Sequence, residues 1–486
     1  MQNFQIDLVL PVAILAAYAL LGLLLTPLLR EKAGALLAPI SLAGLAMAGW
    51  GLARQWSEAA NGPRITAEGL LRVDGFGVFF AFILLAATAL TVLGSWRFLE
   101  REDADRGEFY PLVLMALAGM IAMIQTTHLL MVLVGLEVFS LSLYVLTGLT
   151  RARVRSVEAA LKYFLLGAFS SGFMVYGMAL LYGSTGSLDM NRIGRVAVEA
   201  PSAMLWIGMG LVLIGLAFKI AIVPFHHWVP DVYTGAPTNV TAFMAAATKT
   251  AAFAALLRLL MGAFGDLTVA WAPLITVLAI LTMTVANLVA LAQTNIKRLL
   301  AFSSISHAGY LLIAVVCPPE HGVRAILFYL SAYVFMTVGA FAVAAAVGRG
   351  DARSERGYEL DAWSGLGWRR PALGAVMSLF LFSMAGIPPT GGFFGKYEIF
   401  QAAVRSDHWL LAVVGVLNAV VGAFYYLRVV VAMWMKETEK GEEAFPLPVP
   451  PTMAIVMVVA GIAILYLGFA PGRLLDLVQG LAASLI

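Results

Sequence analysis

The chain has 486 residues, of which 61% are hydrophobic and only 12% charged, with a net charge of +3 and a mean hydropathy of +0.89. Soluble domains carry about 25% charged residues, so a soluble globular fold is excluded and a polytopic membrane protein is expected. The small net charge says nothing about nucleic acid and no basic run suggests it as a partner, and a single cysteine, Cys317, excludes an internal disulfide, an iron–sulfur cluster or a cysteine zinc site.

A helix needs about 20 apolar residues to cross the hydrocarbon core. On that criterion the spans fall at 6–28, 33–54, 74–97, 110–127, 129–149, 158–182, 203–224, 239–262, 271–293, 300–316, 322–348, 371–404, 408–435 and 451–470. The fold class is therefore all-α, with about 14 transmembrane helices. The first stretch lacks a basic n-region and a small-residue cleavage site, and reads as a retained span rather than a signal peptide.

Spans 4 and 5 share a very short connection around Thr127–His128, which predicts a tight hairpin. Span 5, LLMVLVGLEVFSLSLYVL, carries Glu137. At the start of span 6, Lys162 follows Glu158 by four residues, the spacing of a helical ion pair. Span 7 places Lys219 five residues before Pro224. That proline removes a backbone donor and crowds the preceding turn, so carbonyls open that the bundle or water must satisfy. His226 and His227 follow the break and read as polar residues capping the loop.

Span 8 contains Lys249 and, toward its end, Arg258; span 10 contains His307 in SSISHAG; span 13 contains Arg428. Span 12 repeats the pattern of span 7. GIPPTGGFFGK (386–396) sets prolines and glycines beside a buried lysine, Lys396. Arg258 and Arg428 lie near span ends, where long side chains snorkel to the interface. Glu137, Lys219 and Lys249 lie deeper. A charge at the centre of a membrane helix costs about 2.5–3.5 kcal/mol on insertion scales, so such residues mark an ion or proton pathway by default. Burial disfavours the ammonium and a neighbouring carboxylate favours it, so the protonation of such a group responds to modest movement.

Paired interruptions in corresponding spans are the mark of inverted-repeat transporters. The breaks divide the chain into residues 1–109 (spans 1–3), 110–263 (a first five-helix repeat, spans 4–8), 264–435 (a second, spans 9–13) and 436–486 (span 14 and tail). The broken helix is fourth in each unit, and an odd number of spans makes the two units inverted repeats. Lys and Arg are roughly twice as frequent in odd-numbered loops as in even ones, which makes the odd loops cytoplasmic. Both termini then lie on the non-cytoplasmic side.

Four stretches carry a family resemblance: KYFLLGAFSSGFMVYG (162–177), FKIAIVPFHHWVPDVYTGAPTNVTAF (218–243), QTNIKRLLAFSSISHAGY (293–310) and LFSMAGIPPTGGFFGKYEIF (381–400). Together they resemble the antiporter-like membrane subunits of respiratory complex I, most closely the subunit N branch. Lysine rather than glutamate at position 396, the WVPDVYTGAP loop, and an end soon after span 14 favour that branch. The resemblance implies a bacterial inner-membrane subunit of a proton-translocating NADH:quinone oxidoreductase. Glu137 and Lys219 would form the ion pair of one half-channel. Lys249 would connect it along a hydrophilic axis to Lys396, with His307 as a relay of the second half and Lys162 as a further candidate. No redox cofactor is expected in this chain; FMN, iron–sulfur clusters and quinone belong to partner subunits. Expected partners are an adjacent antiporter-like subunit, small membrane subunits and the bilayer. Three rival readings share the fold: a subunit of a multi-subunit cation/proton antiporter, a membrane hydrogenase subunit, and a structural spacer between pumping subunits.

Overall fold

In hydrocarbon every backbone polar group must be paired within the protein, which leaves helices as the spanning element for a sequence with uninterrupted apolar runs. The computed structural model follows that rule and describes residues 6–66, 69–96, 98–99, 107–348, 356–437, 448–482 and 484–485. The first five residues, part of loop 11 (349–355) and part of loop 13 (438–447) lie outside the described residues.

Among the described residues, twelve helices are long and apolar enough to cross a membrane. Two shorter ones, Phe109–Ile124 and Pro371–Ala385, complete the expected fourteen crossings. Spans 1–6 are Ile6–Leu29, Ala33–Ala59, Gly75–Ser95, Phe109–Ile124, Leu129–Thr147 and Val154–Thr185. Span 7 is Ala203–Ile220 followed, after the break, by Trp228–Gly235. Span 8 runs from Thr238 to Ala263, and spans 9–11 are Thr268–Leu291, Ile296–Val315 and Pro319–Val347. Span 12 is Pro371–Ala385 and Gly391–Arg405; spans 13 and 14 are Trp409–Met435 and Pro451–Phe469.

Spans 8, 10 and 11 are almost wholly buried and form the centre of the bundle, whereas spans 1, 6, 9 and 13 keep broad exposed faces. This division has a sequence cause. A helix that is apolar all round is a core helix or a lipid-facing one, and the central spans add small and hydroxyl residues that permit close packing. The hairpin of spans 4 and 5 is as tight as expected. A Cβ added at Gly135 would lie 2.6 Å from the Gly119 carbonyl oxygen, and one at Gly119 would lie 2.7 Å from that of Gly135. Only glycine lets the two backbones meet there.

The two breaks are built alike. Each first half ends on a residue with positive φ, Ala221 (+67°) in span 7 and Gly386 (+89°) in span 12, and each break contains a cis proline, Pro224 and Pro389. The prolines are exposed, while Lys219 and Lys396 are buried. Span 12, read in the sequence as a helix broken at GIPPTGGFFGK, is two helices as expected. Elements outside the expected spans include a β-hairpin pairing Arg64–Ile65 with Arg72–Val73, a helix at Met190–Glu199, and a helix at Pro471–Ala482 packed on spans 3 and 11.

Candidate functional site

The buried charges fall into two groups. Lys219, Lys249 and Lys396 are between 1% and 5% exposed, and His307 is equally buried. Lys162 is not: it lies at the surface, paired with Glu158 at 2.7 Å and with Asp231 at 3.0 Å. Arg298 holds the other Asp231 oxygen at 2.9 Å. These groups line an open polar cleft of about 420 Å³ with Arg155, Gln293 and Glu359, all near odd-numbered loops.

Span 5 presents Leu130, Val134, Leu141 and Val145 outward, and Glu137 lies in the same stripe, partly exposed. The Ser171 hydroxyl of span 6 donates to its carboxylate. Glu137 and Lys219 form no hydrogen bond with each other. Lys219 Nζ instead lies 4.9–5.8 Å from the ring centres of Phe139, Tyr144, Tyr163 and Phe218. Among the described residues it has no hydrogen-bond partner. An aromatic cage stabilises a cation by ring quadrupoles alone. The cage is fixed by Trp228 of the second half of span 7, which stacks on Tyr163 at 4.5 Å and donates from Nε1 to the Phe218 carbonyl at 2.9 Å.

Lys249 begins the α-helical stretch Lys249–Leu257, directly after a π-helical turn at Met244–Thr248. Such turns shift the register of the following side chains. Lys249 Nζ donates to the Ser304 carbonyl of span 10, and Tyr333 of span 11 donates to the Ser304 hydroxyl at 3.0 Å. One turn further along span 10, His307 is held on both sides. Its Nδ1 meets the Tyr329 hydroxyl, and its Nε2 meets the Tyr426 hydroxyl at 3.1 Å; Tyr426 in turn bonds Ser303. Lys396 lies above the Tyr310 ring at 4.9 Å and donates to the carbonyls of Met384 (2.8 Å) and Ala385 (3.1 Å). Those carbonyls are among the ones that the break in span 12 frees. The lysine thus serves as the missing donor of the interrupted helix.

Arg258 does not snorkel, contrary to expectation. It is buried and bidentate to Asp74, at 2.9 and 2.7 Å, and its Nε donates to the Ile124 carbonyl at 2.7 Å. Asp74 also caps span 3 by accepting from the Gly77 amide at 2.8 Å. Arg428 binds the carbonyls of Leu291 and Gln293 at the end of span 9, a capping role. His226 is buried and its ring lies 4.4 Å from that of the exposed His227. The tyrosines around His307 were missed in the sequence. The available signal was Tyr329 and Tyr333, four residues apart in a span with no polar face, and the Tyr425–Tyr426 pair in span 13.

Fourteen crossings, two broken helices and a lysine at each break define an antiporter-like membrane protein. The family model described as "NADH:quinone oxidoreductase/Mrp antiporter, TM" matches residues 126–422. The chain is 43% identical over 481 residues to NADH-quinone oxidoreductase subunit N of Trichlorobacter lovleyi, covering 98% of this chain and 97% of that one. It is also similar to a chain of respiratory complex I from Thermus thermophilus, with 39% identity, a TM-score of 0.81, and 96% and 98% of the two chains covered. A chain of an archaeal membrane-bound sulfane sulfur reductase gives a TM-score of 0.86 at 26% identity, covering 98% of this chain and 97% of that one. The chain belongs to the subunit N family of NADH-quinone oxidoreductase, the antiporter-like membrane subunits of respiratory complex I.

Proposed function

We propose that this chain translocates protons within an NADH–quinone oxidoreductase, along the line Glu137, Lys219, Lys249, His307 and Lys396. Membership of the family supports the assembly. Of the four lysines buried among the described residues, Lys297 caps the Thr234 and Ala236 carbonyls at the entry of span 10; the observation that carries the residue assignment is that the other three, deep in the spans, are joined to no carboxylate but to ring faces and backbone carbonyls. A structural lysine in hydrocarbon is expected to be neutralised by a partner. These are held by neutral groups, so each can give up its proton without orphaning a buried carboxylate.

In this reading, the residues divide as two repeats, 110–263 and 264–435, flanked by 1–109 and 436–486. The odd loops face the cytoplasm of a bacterial cell and the termini face away from it. The polar cleft around Lys162, Asp231 and Arg298 then opens to the cytoplasm, and Lys396 is the gate toward the other side. Glu137, in an outward stripe, faces a neighbouring membrane subunit, whose charge state it senses and passes to Lys219. FMN, iron–sulfur clusters and quinone are held by other subunits, and this chain contributes no redox centre.

Replacing Lys249 with Ala in the assembled complex tests this reading. Proton pumping and coupled quinone reduction should fall at least about ten-fold, the low end of what a positioned acid–base group contributes. NADH oxidation by an artificial acceptor should continue unchanged. Normal pumping in the variant would favour the role of structural spacer.

A further inference from the structure

The helix Pro471–Ala482 follows span 14 and packs on spans 3 and 11. It is amphipathic: Leu474, Val478 and Leu481 are turned to the bundle, whereas Arg473, Asp476 and Gln479 are exposed. A helix of that pattern lies in the plane of the membrane interface. At its first turn a groove of about 340 Å³ opens between spans 3, 11 and 14. Phe79 and Phe82 of span 3, Phe335 of span 11, Tyr466 and Leu467 of span 14, and Leu474 of the helix form its walls. Ser331 also lines it, but its hydroxyl already donates to the Leu327 carbonyl at 2.8 Å. The groove therefore suits a hydrocarbon chain and not a polar solute.

Its depth is that of one leaflet. From Gly75, where span 3 begins, to Ala86, the furthest lining residue on that span, is roughly 16 Å of helix. Half of a hydrocarbon core is about 15 Å. The mouth carries one charge of each sign. Arg473 adjoins Leu474, and Asp476 follows three residues later on the same exposed face. Neither has an ion-pair partner among the described residues. A guanidinium fork matches phosphate oxygens, and a carboxylate accepts from an ammonium. We infer that this groove binds a phospholipid of the ethanolamine class, with an acyl chain between spans 3, 11 and 14, its phosphate on Arg473 and its ammonium on Asp476.

The site backs onto the break in span 12. A Cβ at Gly468 would stand 2.4 Å from the Pro389 carbonyl oxygen, and one at Gly391 would stand 3.0 Å from Leu467 Cβ and 3.2 Å from Ala332 Cβ. Phe328, Ala332 and Leu467 form a small apolar cluster apart from the main core, and Leu467 is also a wall of the groove. The acyl chain is thus the outer wall of the contact that seats span 14 on the segment leading to Lys396.

The test uses the whole complex in vesicles carrying a trace of phosphatidylethanolamine or of phosphatidylglycerol, each with a photoreactive group on the acyl chain. Phosphatidylglycerol shares the phosphate and lacks the ammonium. Adducts are located by peptide mass spectrometry and normalised to the labelling of the complex as a whole. The ethanolamine probe should label residues 79–86 and 463–467 roughly two- to five-fold more than the glycerol probe, the ratio that one exposed ion pair supplies. Asp476→Asn should remove that preference, and Arg473→Gln should lower labelling by both probes. Ala463→Phe, which fills the groove, should abolish it. Arg473 and Asp476 are exposed, so their variants assemble even if Ala463→Phe does not. Equal labelling by the two probes in the wild type, or a preference that survives Asp476→Asn, overturns the proposal. Absence of label from both probes overturns it as well, because the groove is then covered by a protein neighbour.

Discussion

Lys219 and Lys396 are both buried lysines beside a broken helix, yet replacing each with methionine should have opposite structural effects. Methionine matches the length of lysine and removes the charge. At position 396 it also removes the donor for the Met384 and Ala385 carbonyls. Each orphaned buried acceptor costs about 1–3 kcal/mol, so Lys396→Met should destabilise by about 2–6 kcal/mol before any relief from losing the charge. At position 219 no hydrogen bond is lost. A single desolvated cation–π contact is worth about 2 kcal/mol or more, so the four-ring cage at position 219 roughly offsets the cost of about 2.5–3.5 kcal/mol for keeping a lysine in the membrane. Lys219→Met should therefore be neutral or slightly stabilising.

Both variants should lose proton pumping. The stability difference can be read in the purified chain, because Cys317 is its only cysteine and is buried. A thiol-reactive dye reports its exposure on heating. Lys396→Met should expose the thiol at a temperature several degrees below wild type and Lys219→Met at or above it. Equal melting of the two variants, or earlier melting of Lys219→Met, would refute the idea that the break in span 12 depends on its lysine and the break in span 7 does not.

Two further outcomes concern the frame. Arg258→Met should cost about 3–5 kcal/mol, the usual result of removing one partner of a buried pair. Adding Asp74→Asn should deepen the loss, measured by the same thiol exposure, since Arg72 at 3.0 Å is then left without its carboxylate. Gly135→Ala should cost about 1–3 kcal/mol by overpacking. It should also reduce the yield of folded chain in membranes, because its methyl would lie 2.6 Å from the Gly119 carbonyl.

The spans were legible because apolar length is a local property, and the positions of Lys219, Lys249 and Lys396 were legible because lysine is rare in hydrocarbon. What those lysines touch was not. Lys219 was expected to pair with Glu137, but the pairing partner of a buried cation depends on helix rotation, and here four rings take that place. Arg258 appeared to be near enough to an end to reach water; its true partner, Asp74, lies 184 residues away in sequence, beyond any local pattern. The tyrosine pairs around His307 were invisible for a different reason. Tyrosine counts as apolar in a hydropathy reading, so its hydroxyl becomes evident only when two helices bring it to a partner. The Met190–Glu199 and Pro471–Ala482 helices were too short and too polar to register as spans.

Glu137 also bears on how the protein is made. On a lone chain it is a carboxylate in a stripe otherwise formed by Leu130, Val134, Leu141 and Val145, eased mainly by the Ser171 hydroxyl. Facing lipid, it carries a penalty of about 2.5–3.5 kcal/mol that a docked neighbour removes. An unassembled copy is therefore marked, at mid-membrane depth, as an orphan. On the proposed reading, the same group that senses a neighbour's charge during turnover would, earlier in the life of the chain, expose any subunit that never found its neighbour to membrane quality control.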